Sequence, residues 1–333
     1  MELPDASIQS GFAAMVSRRA EAIRSGLVVA MGEIPVRLHA PEPRRALAMA
    51  ELLAGVETSD SEPACVLTFG ISGPGVPSRP ADDELFDGQA WQHGSQFALR
   101  HDSGLVAVAD ATTACISGEA AGLRWPFRRL FHPTIAHLLA HQQRYVVHAA
   151  AIADDNGAVL VLGGTGRGKS TAAAAALQAG HDVLGDDLVV LVPRAHGGHD
   201  VVGLPRPIAV PGDVIDEMAG DGAIDRGPRA RVELPPDRLS STARRLRAVV
   251  VIDHSQGRAT LEPVAPSAVL GEVLSSFTAT RNSVLLRAFF PHAVTLSRIP
   301  AWRLRHARRA DSRLDEAAEL LADVQASVRG DRS

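Results

Sequence analysis

The chain of 333 residues has little cysteine, few aromatics and a single lysine. Its two cysteines, Cys65 and Cys115, have no companion CxxC or Cys/His cluster, which excludes a disulfide scaffold and a structural zinc site and fits a reducing compartment. No apolar run approaches the roughly 20 residues of a membrane span; Ala158 to Leu162 and Val249 to Ile252 are buried-strand length. The acidic, polar start, MELPDASIQSGF, lacks the basic and apolar regions of a signal peptide. A formal charge of −4 supplies no global basic field for nucleic acid or anionic membrane. These absences predict a soluble, cytoplasmic chain with neither nucleic acid nor membrane as partner. With 46% hydrophobic and 22% charged residues, the composition is globular, and the length suits about two domains.

Periodicity outlines the elements. Residues 1–24 carry a helical pattern, and Gly26–Met31 and Ile34–Leu38 read as paired strands. Ala46–Val56 reads as a short helix and Ala64–Ile71 as a strand. Residues 72–89, rich in Gly, Pro, Ser and Asp, read as a surface loop. Gln96–Ile116 fits two strands about the turn at residues 102–104. Together they predict an N-terminal, mostly antiparallel α+β module over 1–125, with no chemical motif of its own, followed by a second domain over 126–333. There, Leu130–Gln143 is helical. Its His137 and His141, at i and i+4, lack the third ligand of a metal motif and read as a satisfied surface or interface pair. Tyr145–Ile152 reads as one strand, and Asn156-Gly157 as a hairpin turn.

The chemistry sits in the next segment. The apolar run Ala158–Leu162 enters Gly163-Gly164-Thr165-Gly166-Arg167-Gly168-Lys169-Ser170, and Thr171–Gln178 continues as a helix stopping at Gly180. This is GxxxxGK[ST], the Walker A pattern, in the strand–loop–helix setting it requires. The glycines let the backbone turn its N–H groups onto an anion, and the helix start adds its positive dipole end. Lys169, the sole lysine of a chain that otherwise uses arginine, supplies a compact charge for the β- and γ-phosphates. The Ser170 hydroxyl is a ligand for Mg²⁺. The loop from Gly163 to Thr171 is therefore expected to bind ATP with Mg²⁺. Downstream, the pair Asp186-Asp187 ends a short strand before another apolar one. It is equally a metal or base site and an ordinary Asp-rich turn. Val249–Ile252 ending at Asp253 offers another carboxylate at a strand end. Arg303, Arg305, Arg308, Arg309 and Arg313 cluster after Trp302; such a run is by default a solvated face, with contact to nucleotide or an acidic peptide as the alternative.

The string His148, Gly168-Lys169-Ser170 and Asp186-Asp187, together with "VHAAAI" and "ALQAGHDVLGDDLV", resembles the catalytic domain of the HPr kinase/phosphorylase family over about residues 145–191. The resemblance implies an α/β P-loop kinase domain with a mixed sheet. It implies that Asp187 is the general base toward an acceptor hydroxyl, that His148 lies beside it and the γ-phosphate, and that Asp186 stands on the metal side with Ser170. Thr171 occupies the place of a glutamate in the bifunctional HPr enzymes. The chain therefore looks more like the related kinases that accompany peptide-tailoring genes, some of which phosphorylate a serine of lasso-peptide precursors. A peptide or protein substrate with an acceptor serine and a homo-oligomeric state are further implications of the resemblance. From the residues alone, a small-molecule kinase, an ATPase and a non-catalytic nucleotide sensor stay open.

Overall fold

A computed structural model describes residues 6–53, 56–70, 90–93, 95–119, 123–204, 208–210, 230–232, 242–255, 260–279, 282–307, and 318–327 apart from 320 and 325. The loop expected over 72–89 lies outside these, as do Arg308, Arg309 and Arg313. The chain is an α/β protein whose described residues form two compact units. One takes residues from Gln9–Val146 and Thr278–Phe289; the other takes residues from Met1–Ile8, Val147–Phe277 and Phe290–Ser333.

The first unit is built on strands β1 (Leu27–Met31), β2 (Ile34–His39), β3 (Cys65–Gly70), β4 (Ala90–His93), β5 (Gln96–Arg100), β6 (Val106–Ala109) and β7 (Thr113–Ser117), in the order β1-β2-β3-β7-β6-β5-β4. β1 and β2 pair antiparallel across a two-residue turn, Gly32-Glu33, with φ of 57° and 67°. Both values belong to the primed turn that matches strand twist. β3 is parallel to β2 and β7, and the remaining pairs are antiparallel. The segment from 96 to 116 holds three strands where the sequence suggested two. Asp110 makes the extra turn, its Oδ1 accepting from the N–H of Thr112 and Thr113 at 2.8 and 2.7 Å. Helix α1 (Ala6–Ser25) covers the helical pattern of the N-terminus. Helices α2 (Pro43–Leu52) and α3 (Arg124–His141) pack on this sheet, with Phe127 of α3 stacked on Phe69 of β3 at 4.3 Å between ring centres.

Strand β8 (Tyr145–Val147) falls at the division between the units, with only Val147 in the second. The second unit carries strands β9 (Ala150–Asp154), β10 (Gly157–Leu162), β11 (Asp182–Gly185), β12 (Val189–Pro193) and β13 (His199–Gly203). A separate pair comes next, β14 (Ile208–Val210) with β15 (Ala230–Val232). Then come β16 (Arg244–Ser255), β17 (Thr260–Pro263) and β18 (Ala301–Ala307). The main sheet runs β11-β9-β10-β16-β13-β12-β8, with β18 also beside β16, and β17 beside β18. β10, β16 and β18 are mutually parallel at its centre. β10 is buried over its last five residues, as a central strand covered on both faces requires. One cover is helix α4 (Lys169–Gln178), whose Ala172–Ala176 are all buried. Five successive small side chains let its backbone sit close to β9, β10 and β11, and Ile152, Val161, Val250, Ile252 and Leu304 complete that core. Helix α5 (Pro266–Ser276) packs against β10 and β16 and buries Val269 and Val273.

The single strand expected over 145–152 is broken. β8 ends at Val147 and β9 begins at Ala150. At the break, the His148 N–H donates to the Ser276 carbonyl at 2.7 Å, and Val147 bridges to Phe277. The end of α5 thus takes up backbone groups that a continuous strand would have given to the sheet.

Candidate functional site

The loop joining β10 to α4 is shaped by close approach to the neighbouring strand. Gly163 has φ of 148°, and a Cβ there would stand 2.8 Å from the Ile252 carbonyl oxygen of β16, so no side chain fits. Gly168 (φ 107°) is the N-cap of α4 and accepts from the Ala172 N–H at 2.9 Å. The helix axis therefore begins at the loop and directs its positive end there. Gly164, Thr165, Gly166 and Arg167 are exposed, Gly163, Gly168 and Ser170 half-buried, and Lys169 and Thr171 buried.

Lys169 folds back over its own loop. Its ammonium donates to the Gly163 and Gly164 carbonyls at 2.7 and 3.2 Å, with the residue only 5% exposed. Burial lowers its pKa below the usual lysine value, opposed by the charges of Asp187, Asp186 and Glu272. A cation so placed is short of water, and an anion brought to the loop would restore what burial removes.

The turn between β11 and β12 delivers Asp186 and Asp187. Asp186 is buried at 4% exposure, and the Asp187 Oδ1 stands 3.2 Å from the His148 Nδ1. The break between β8 and β9 is what sets His148 where it meets that carboxylate. Four elements thus converge: the glycine loop, the β11–β12 turn, the β8–β9 break and α5. The first three carry the residues singled out in the sequence, and the structure brings Lys169 into electrostatic reach of both aspartates. Ser170 and Asp186 offer oxygen donors of the kind a hard divalent cation takes.

Two residues at or near the site, Glu272 and Gly203, had no signal in the sequence. Glu272, one helical turn before Ser276 on α5, is a third carboxylate acting on Lys169. Gly203 of β13 lies against the strand leading into the acidic turn; a Cβ there would be 1.6 Å from the Leu184 carbonyl oxygen. Asp253, two residues before the end of β16, forms an ion pair with Arg167 of the loop. Of the arginine cluster, Arg303 and Arg305 lie on β18, and Arg305 pairs with Glu262 at 3.2 Å. His137 lies in the first unit, buried, its Nε2 2.8 Å from the Ser95 carbonyl oxygen. Among the described residues no helix is long and apolar enough to cross a membrane.

No known family model matches the chain, and no curated protein matches it. Among solved structures it is similar to the HPr(Ser) kinase/phosphatase from Coxiella burnetii. The match has 12% identity and a TM-score of 0.31, covering 56% of this chain and 93% of that one. A likeness that low does not establish a function for this chain.

Proposed function

We propose that the protein is an ATP-dependent kinase that transfers the γ-phosphoryl group to a hydroxyl, the acceptor being a serine of a peptide or protein such as a lasso-peptide precursor. The supporting observation is the convergence at Lys169: a glycine loop at a helix start, a buried ammonium, and an aspartate held by a histidine within its electrostatic reach. Phosphoryl transfer asks a protein mainly for positioning and charge stabilisation, and these residues divide that work. The loop amides from Gly163 to Gly168 and the start of α4 receive the phosphate chain. Lys169 turns from its own carbonyls to the β- and γ-oxygens. Asp187 accepts the proton of the acceptor hydroxyl, and His148 holds the carboxylate in place at 3.2 Å. Ser170 and Asp186 would hold Mg²⁺, which when bound neutralises charge on the phosphates.

The test is incubation with ATP labelled at the γ-phosphate together with serine-containing peptides, proteins or small alcohols. Label on a peptide or protein serine supports the reading. Phosphate released at an equal rate without acceptor marks an ATPase, label on a small alcohol marks a metabolite kinase, and binding without turnover marks a sensor.

A further inference from the structure

Asp253 takes no part in the chemistry above, yet it is tied to the loop that performs it. β16 is parallel to β10 with Val251 opposite Leu162, so Asp253 stands just past the point where β10 enters the loop. Its carboxylate pairs with Arg167, the residue immediately before Gly168. The Arg167 N–H donates to the Gly164 carbonyl at 3.2 Å. The Arg167 stem lies over the first two glycines: its Cβ is 3.5 Å from the space a Cβ on Gly163 would fill, and its Cγ is 3.6 Å from that of Gly164. The side chain therefore spans the exposed crown of the loop and fastens it to the neighbouring strand.

We propose that Asp253 is a positioning residue for the phosphate cradle, acting through Arg167. The inference rests on the loop binding ATP. Residues 164–167 are exposed, and their amides can serve one anion only in a single conformation. An unfastened loop would have to order itself each time ligand binds, and that ordering weakens affinity. Both side chains are well exposed, 47% for Arg167 and 39% for Asp253. Water screens them, and the expected effect is about two- to fivefold in affinity.

The experiment is direct calorimetric binding of MgATP, which needs no acceptor, to the full chain and to Arg167→Ala, Asp253→Ala, Arg167→Lys and the double alanine variant. Transfer kinetics and the unliganded Tm are measured beside it. Each alanine variant should bind about two- to fivefold more weakly. The double should bind no more weakly than the worse single, and Arg167→Lys should recover part of the loss. KM should rise with kcat little changed, and Tm should stay within about 2 °C of the parent, as expected for an exposed pair. Three results would overturn the proposal: unchanged affinity in Asp253→Ala, multiplying losses in the double variant, or a loss confined to kcat. A parent chain that binds no MgATP overturns the nucleotide reading itself and this proposal with it; a parent that binds normally beside unaffected variants overturns this proposal alone.

Discussion

Replacing Gly203 by alanine tests how the acidic turn is held in place. The added methyl would arrive 1.6 Å from the Leu184 carbonyl oxygen and 2.2 Å from its carbon, both backbone atoms of β11. A tolerable contact begins near 3.0 Å, so β11 or β13 must shift by about 1.4 Å. Gly203 is paired with Val189 of β12, which leaves β13 little room to yield, and two residues after Leu184 stands Asp186. Overpacking of this kind costs about 3 kcal/mol, or about 6–12 °C in Tm for a unit of this size. A displacement of about 1 Å at a reacting group lowers turnover about 100-fold. The glycine loop joins β10 to α4, so on the proposed reading MgATP affinity should change less than about threefold, well under the loss from removing a direct phosphate contact. Differential scanning calorimetry, calorimetric nucleotide binding and a transfer assay read these three quantities. A variant with the parent's Tm and the parent's kcat would refute the packing argument.

Lys169→Met keeps the bulk of the side chain and removes a buried charge. MgATP should bind about 10- to 100-fold more weakly, the worth of a charge-assisted contact to phosphate, while the unliganded Tm holds or rises because burial disfavours the ammonium. An unchanged Kd would remove Lys169 from the phosphate site. Acid should weaken both units. Burial lowers the pKa of His137 to about 4 and that of His199, whose Nε2 lies 3.2 Å from the His292 Nδ1, to about 4. Neutral histidine is favoured in the fold, so this stability is fully present above the unfolded value near 6.5 and is lost as pH falls from there toward 4. Each histidine should cost about 2 kcal/mol between pH 7 and pH 5, measured by urea unfolding; a flat profile would contradict the burial of both.

What the sequence made legible was what its local pattern determines. The run Ala158–Leu162, the glycine loop and the alanine-rich helix after it are each specified within a few residues, and the expected strand, loop and helix are where the structure has them. The β1–β2 pairing and the acidic turn between β11 and β12 were legible for the same reason. Periodicity could not show that Tyr145–Ile152 is two strands. The break depends on the Ser276 carbonyl, more than a hundred residues away in the chain, and alternating apolar residues read alike on either side of it. Gly203 and Glu272 were silent because a close backbone approach and a charge brought near from a distant helix are properties of packing. Arg167 sat within the motif, but its partner Asp253 could be found only once β16 was known to lie parallel to β10.

In the proposed reaction, transfer to a hydroxyl depends most directly on Asp187. At saturating MgATP, transfer to an acceptor serine should fall about 100- to 10,000-fold in Asp187→Asn, the contribution of a positioned general base, while the Kd for MgATP stays within about threefold of the parent's. Transfer at the parent's rate in that variant, with nucleotide bound as before, would contradict the role of Asp187 as base.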